Sequence, residues 1–188
     1  MRKRVGLFGG SFDPIHLGHI TLAIELFETH KLDEVLFCPA FCSPFKTASP
    51  PLASPNHRLT MVRLAVENIS KFKVTAIEIN RQGPSFMIDT VRALQSDDVQ
   101  LHLLISEESA AHLDRWKEAS QLLQLAPPLI GSRSKSFHSV HNVTKIKVFE
   151  ISSSEVRERL GLRRYCGHLL LTKVLDYIQA QRLYIAQE

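Results

Sequence analysis

Two histidines, His16 and His19, stand three positions apart around Gly18 in the run Gly9-Gly10-Ser11-Phe12-Asp13-Pro14-Ile15-His16-Leu17-Gly18-His19. The run follows the apolar stretch Val5-Gly6-Leu7-Phe8 and precedes Ile20-Thr21-Leu22-Ala23-Ile24-Glu25-Leu26-Phe27, which reads as strand, glycine turn and helix. A glycine pair at the end of a strand lets backbone N–H groups approach an anion with no Cβ in the way. The helix behind it points its positive end at the same place. Phosphate is the ligand this arrangement suits. Imidazoles on the first helical turn can face one bound group and stabilise charge on a phosphoryl centre in transfer. Alone, H-x-G-H in a chain with nine histidines is a weak signal.

The hydroxyl-rich stretch Ile151-Ser152-Ser153-Ser154-Glu155-Val156-Arg157 is a second candidate. A serine cap and an early Glu start a helix there. Consecutive hydroxyls and N-terminal amides make an anion site, beside which Arg157 can bind phosphate through a pair of N–H groups. Helix capping with a solvated arginine is the commoner use of such residues. Lys46 can close over phosphates or stay in water. Trp116, the one tryptophan, is more often a core residue than a ligand stack. If both candidates serve one polyphosphate, the fold must bring His16, His19 and the Ser153–Arg157 turn together.

The elements that would position them follow from apolar periodicity. Arg4 to Phe8 is a first, central strand, Gly18 to Thr29 the first helix, and Glu34 to Pro39 a short buried parallel strand reached by a right-handed crossover. Residues 40–56 carry four prolines and read as a long loop with Lys46 inside it. A helix over 57–66 is followed by a strand from Phe72 to Ile79. A turn then lets Ser85 cap a helix from about Phe86 to Gln95. Leu101 to Ile105 is a fourth strand, whose end at Ser106-Glu107-Glu108 is where a parallel sheet presents ligand contacts. Trp116 begins a helix running to about Leu125. Ala126 to Gly131 is a late-starting or edge strand, because Pro127-Pro128 cannot donate to a ladder. Ser132 to Asn142 reads as a loop, Ile146 to Glu150 as a final strand, and Thr172 to Gln181 as the last helix. No repeat or linker divides residues 1–188, so a single α/β domain is expected: an open parallel sheet with helices on both faces and a small C-terminal helical portion.

Composition narrows the class. With 188 residues, 44% apolar and 22% charged, the chain is an ordinary globular one. No apolar run approaches the roughly 20 residues of a membrane span. The basic start Met1-Arg2-Lys3-Arg4 leads into a stretch broken by Gly6, Gly9 and Gly10, unlike a signal peptide. Cys38, Cys42 and Cys166 are odd in number and lack C-x-x-C spacing, which argues against a disulfide framework or structural zinc and for a cytoplasmic location. A net charge of +4 and a pI near 9.1 suit a phosphorylated substrate without separating it from nucleic acid.

The run Gly9 to His19, in its strand-to-helix setting, resembles the signature of the nucleotidyltransferase superfamily of Rossmann-like adenylyl- and cytidylyltransferases. Within that superfamily it is most similar to nicotinate-nucleotide adenylyltransferases. The segments LDEVLFCPA, GPSFMIDT, RWKEASQLLQLA, ISSSEVRERL and VLDYIQAQRLY resemble that family in the same order. The resemblance implies a Rossmann-like sheet and transfer of AMP from ATP to the 5′-phosphate of nicotinate mononucleotide, with release of pyrophosphate in NAD biosynthesis. The attacking phosphate is already anionic, so positioning and charge stabilisation would dominate over general-base catalysis. Carried over by motif position, His16, His19 and Arg157 would be catalytic. Gly9, Gly10, Ser11, Phe12, Gly18, Lys46, Arg133, Ile151, Ser152, Ser153 and Ser154 would hold ATP and its phosphates. Ser85, Met87, Glu108, Trp116 and Lys117 would hold the acceptor. Mg²⁺ would come with the ATP. The implied partners are ATP and a pyridine mononucleotide, with no nucleic acid or membrane, and homo-oligomerisation left open.

The chain departs from the family pattern at three places. Phe45 stands where a His usually precedes the loop lysine. Ser85-Phe86-Met87 replaces Ser-Tyr-Thr, and Ser106-Glu107-Glu108 replaces Gly, a small or polar residue, and Asp. All three fall on the nucleoside side, while the phosphate side is nearly intact. Two alternatives therefore accompany the main reading. One is an adenylyltransferase with another acceptor, such as nicotinamide mononucleotide. The other is a degenerate member that binds nucleotides without turnover.

Overall fold

The computed structural model of the protein describes residues 2–45, 49–132, 142–145 and 151–185. Lys46, Arg133 and the strand expected at Ile146–Glu150 lie outside these. A parallel sheet is built from β1 (Lys3–Gly10), β2 (Glu34–Pro39), β3 (Phe72–Val74), β4 (Val99–Ser106), β5 (Pro128–Ser132) and β6 (Asn142–Lys145), in the order β3-β2-β1-β4-β5-β6. The chain grows outward from β1 through β2 to β3, then starts again on the other side of β1 with β4. This reversal opens a crevice at the carboxyl ends of β1 and β4, where an α/β sheet binds ligands.

Period-two alternation divides the core into two layers. On one face Phe8, Val35, Phe37, Leu104 and Leu129 pack against α1 (Leu17–Thr29), α2 (Pro55–Val66), α7 (Ser153–Gly161) and α8 (Thr172–Ala180), through Leu26, Met61, Val156 and Ile178. On the other, Val5, Leu7, Leu101, Leu103, Ile105 and Ile130 meet Ile88 and Val91 of α4 (Met87–Leu94) and Leu122 of α6 (Ala119–Leu125). Each such side chain contributes roughly 1.5–3 kcal/mol on burial, so the two apolar layers fix which strand ends meet at the crest.

Several elements differ from their expected form, each for a local reason. The strand from Phe72 ends at Val74, and Ile77–Arg81 is a short helix, α3. Its Glu78 is 2% exposed and accepts a 2.7 Å hydrogen bond from Thr90 Oγ1, a buried partner that strand geometry would have faced elsewhere. Ser85 does not cap α4. Phe86 is the N-cap residue, and Ser85 Oγ instead accepts from the backbone N–H groups of Phe41 and Cys42, at 2.9 and 3.4 Å. Trp116 does not begin a helix. It follows a 3₁₀ turn at Leu113–Arg115, and Glu118, left-handed at φ +52°, precedes α6. Pro128 is the first residue of β5, so that strand does start late. It is nonetheless an inner strand, flanked by β4 and β6, and β6 begins at Asn142, where a loop was expected to end.

Beneath the crest lies a buried guanidinium. Arg58 of α2 is 1% exposed and donates to the backbone carbonyls of Ser11 (2.7 Å), Ala40 (2.6 Å), Phe41 (3.0 Å) and Ala53 (3.1 Å). The loops after β1 and β2 and the entry to α2 are thereby tied to one planar group. Asp13, 5% exposed, complements it: its carboxylate accepts from Leu52 N (2.9 Å), Ala53 N (3.0 Å) and Tyr184 Oη (2.7 Å). Replacing Arg58 by Met leaves those carbonyls unsatisfied and takes away one of the two positive charges near Asp13, the other being Arg157. Urea unfolding of Arg58→Met should show a loss of about 3 kcal/mol or more. Arg58→Lys should not recover it, since an ammonium cannot span the same acceptors. Wild-type stability in either variant would remove Arg58 from this role.

Candidate active site

The crest carries a cleft of about 990 Å³ lined from both sides of the topological switch. One wall is the turn after β1. Gly9 and Gly10 close the strand, Phe12 adopts a left-handed φ of +49°, and His16 caps α1. The opposite part of this wall is the start of α7. The two segments are bonded although 139 and 144 positions separate the partners: Ser153 Oγ donates to Pro14 O at 3.0 Å, and Arg157 Nη1 donates to Asp13 O at 2.7 Å. Arg157 Nη1 also stands 3.7 Å from Asp13 Oδ2, and Nη2 donates to Ser154 Oγ at 3.1 Å. Ser152 caps α7, accepting from Glu155 N at 3.0 Å. His16, His19, Ile151, Ser152, Ser153, Ser154 and Arg157 all face the same cleft, as do Gly9, Gly10, Ser11, Phe12 and Gly18. The convergence required of the two candidate segments is present.

The imidazoles lie almost on one another, with ring centroids 3.7 Å apart and planes at 33°. His19 is held by the edge of Phe12 at 5.2 Å, and its Nδ1 accepts from the backbone N–H of His16 at 3.3 Å. That bond assigns the ring proton of His19 to Nε2, leaving that nitrogen a donor. Gly18 eases the pairing, because a Cβ there would meet His16 Nδ1 at 3.0 Å and the ring would have to give by a few tenths of an ångström. His16 is 7% exposed, and burial lowers its pKa from 6.5 to about 4. The imidazole is therefore neutral at pH 7 before any anion arrives, and acts there by hydrogen bonding rather than as a cation.

The other wall comes from α4 and the segment after β4. Met87 opens α4 and lays its methyl over the end of β1; a Cβ on Gly9 would come within 2.2 Å of Met87 Cε. The thioether end is flexible and can swing aside, so this contact alone does not demand glycine at position 9. No side chain caps α4, whose start at Phe86 and Met87 lies at the cleft; of its first-turn amides, Asp89 N–H donates to Phe86 O at 3.1 Å. Lys117 Nζ stands 3.3 Å from the Asp89 carboxylate and 4.7 Å from the centroid of Phe86. Trp116 is half-buried, packing against the edge of the second apolar layer while also facing the cleft. Ser106 Oγ caps the short helix α5 (Glu107–Ala110), accepting from Ser109 N at 3.3 Å, and Glu107 is bonded by Ser132. Glu108 sits beside them at the cleft, as does Ser85, whose hydroxyl is committed to the Phe41–Cys42 backbone.

Every described residue expected in the site lines this one cleft; Lys46 and Arg133 lie outside the described residues. Sequence reasoning assigned no role to Asp13, Arg58 or Tyr184. Asp13 was visible inside the glycine-histidine run, but Arg58 and Tyr184 sit in ordinary amphipathic and terminal contexts with nothing to mark them.

Comparison with known proteins agrees with this geometry. The cytidylyltransferase-like family profile matches residues 7–159. A protein of Methylacidiphilum infernorum is 34% identical, covering 97% of this chain and 92% of its own length. One from Gemmatimonas aurantiaca is 36% identical, covering 96% and 92% respectively. Both carry the name "Probable nicotinate-nucleotide adenylyltransferase". Among solved structures, the Plasmodium falciparum nicotinic acid mononucleotide adenylyltransferase complexed with NaAD superposes with a TM-score of 0.75 at 20% identity, over 97% of this chain and 98% of that one, a likeness of fold.

A neutral buried imidazole makes stability depend on pH. The folded pKa of His16 lies near 4 and its unfolded value near 6.5, so the unfolded chain binds the extra proton between those values. Its contribution is intact above pH 6.5 and is lost as the pH falls towards 4, by about 3 kcal/mol in all. Urea titrations from pH 7 to pH 4 should therefore show a shallower loss in His16→Asn than in wild type, and parallel curves would refute the assignment.

Proposed function

The chain belongs to the cytidylyltransferase-like family and, within it, to the nicotinate-nucleotide adenylyltransferases, and on that premise we propose that it transfers AMP from ATP to nicotinate mononucleotide, giving nicotinate adenine dinucleotide and pyrophosphate. The observation that carries this reading is the joining of the His16–His19 pair to the Ser153–Arg157 turn in one cleft, through Arg157 and Asp13.

In the proposed reaction a 5′-phosphate oxygen of the mononucleotide attacks the α-phosphorus of ATP. A new P–O bond forms, the bond from the α-phosphorus to the α,β-bridging oxygen breaks, and pyrophosphate leaves with that electron pair. No proton has to be removed from the nucleophile. The protein's work is to align two anions and stabilise the charge that builds up on the phosphoryl oxygens. His19 Nε2 and the His16 ring would donate to those oxygens, and the triphosphate's own charge would raise the His16 pKa back towards protonation. Arg157 and the Ser152–Ser154 start of α7 would hold the β- and γ-phosphates. Mg²⁺ would enter with ATP, which suits a cleft where, among the described residues, no group of three or more His, Cys, Asp or Glu side chains is placed to hold a metal.

At the acceptor end the uncapped amides of α4 suit a carboxylate better than a carboxamide. Met87 offers no hydroxyl there, which keeps nicotinamide mononucleotide as the competing acceptor. A pyrophosphate-release assay with ATP and Mg²⁺ against nicotinate mononucleotide, nicotinamide mononucleotide and phosphopantetheine should give the highest kcat/KM with the first. Silence with all three would favour a binding-only protein. His19→Ala should lower kcat by roughly 10²- to 10⁴-fold with little change in Tm. Near-normal turnover would remove His19 from the catalytic set.

A further inference from the structure

Glu78 is 2% exposed and lies at the cleft, yet no step of the proposed reaction uses it. Its Oε1 accepts from Thr90 Oγ1 at 2.7 Å, and the same hydroxyl oxygen accepts from Arg81 Nη2 at 3.1 Å. A hydroxyl has one proton, so this pair of bonds fixes its orientation. Thr90 is wholly buried and stands three positions after Met87, in the first turn of α4. Glu78 in turn is fixed to the sheet. Thr75 N donates to Phe37 O of β2 at 2.9 Å and Ile77 N to Thr75 Oγ1 at 3.2 Å, which hangs α3 from that strand. The Cys38 thiol of β2 is hydrogen-bonded to Glu78. Burial and the neighbouring carboxylate both push its pKa up, so it stays a protonated donor at pH 7.

On its other side α4 is tied by Asp89–Lys117 and Arg92–Glu118, ion pairs between groups that water reaches and salt screens. No side chain caps its start, and Ile88 and Val91 pack into the apolar layer by contacts that have no direction. The bond from Thr90 to Glu78 is both buried and charge-assisted, which makes it the strong directional tie of this turn. We propose that Glu78 is a positioning residue for the acceptor: acting through Thr90, its carboxylate sets where the first turn of α4 stands relative to β2, and so how well that turn meets the mononucleotide. The inference rests on the proposed function and on the acceptor lying against this turn. Glu78 itself touches no substrate. Without it the turn is held by non-directional packing and screened pairs, and a shift of about an ångström is enough to spoil a hydrogen bond to a ligand. The phosphate wall, built on the other side of the cleft from the glycine turn and α7, does not depend on this tie.

The test is steady-state kinetics, with nicotinate mononucleotide and ATP varied separately, on wild type, Glu78→Ala, Glu78→Gln, Thr90→Val, Thr90→Ser and the double variant Glu78→Ala/Thr90→Val, each assayed well below its Tm. Glu78→Ala and Thr90→Val should each raise the KM for the mononucleotide about 5- to 30-fold, with kcat and the KM for ATP within about twofold of wild type. The double variant should be no worse than the poorer single one, because both remove the same bond. Glu78→Gln, whose amide oxygen still accepts from Thr90, and Thr90→Ser, which keeps the hydroxyl, should stay within about twofold of wild type. Where Glu78→Ala does not fold, Thr90→Val against Thr90→Ser decides the matter. Variants that lower Tm and leave the KM for the mononucleotide unmoved make the tie merely structural and overturn the proposal. A Glu78→Gln variant as poor as Glu78→Ala, beside a normal Thr90→Val, also overturns it, since the carboxylate would then act on the ligand by its charge. Wild-type turnover of nicotinate mononucleotide accompanies either of those results if the proposed function stands; a wild-type chain that turns over no pyridine mononucleotide sinks both.

Discussion

The crest of the sheet is held by one buried cation and one buried anion. Arg58 gathers carbonyls from the ends of β1 and β2 and from the entry to α2, and Asp13 gathers amides from residues 52 and 53 and a hydroxyl from Tyr184. Either charge alone would be costly to bury. Together, and fully hydrogen-bonded, they turn irregular loops into a rigid platform. A further acceptor of the platform ties in the second segment of the cleft: the Asp13 carbonyl accepts from Arg157, which places α7 against the glycine turn.

From that platform the cleft takes an uneven character. The wall proposed for the phosphates is built of backbone amides, hydroxyls, a guanidinium and a pair of stacked imidazoles, one kept neutral by burial. In the proposed reaction hydrogen bonding would govern the first encounter with an anion, and further positive charge would appear only as the anion's field favours protonation. The wall proposed for the acceptor is mostly apolar and aromatic, made by Met87, Phe86, Trp116 and Phe45, and the nearby Lys117 ammonium is paired with Asp89. Polar and charged groups thus gather at one end of the cleft and apolar groups at the other.

Much of this was legible in the chain because the signals were local. Short apolar runs marked β1, β2 and β4 within a residue or two, and the glycine-histidine run announced a turn with chemistry in it. The misreadings share a cause: a tertiary partner outweighed a local preference. Ser85 looked like a helix cap and spends its hydroxyl on the chain after β2. The Phe72–Ile79 alternation looked like strand, and Glu78 bends it into a helix to reach Thr90. Trp116 looked like a helix start, and the left-handed Glu118 beside it pairs with Arg92. Arg58 was illegible altogether. A single arginine on an amphipathic helix reads as a wet surface, and only the closing of two loops around it makes it central.

The bond from Tyr184 to Asp13 joins positions 171 apart and crosses nearly the whole described chain. During synthesis the glycine turn and both histidines emerge early, but the carboxylate beneath them lacks its last donor until residue 184 has left the ribosome and α8 has docked. A nascent or clipped chain ending before that point would hold the motif's residues without their finished support. In the proposed function, binding of a polyphosphate would then report that Tyr184 has already met Asp13.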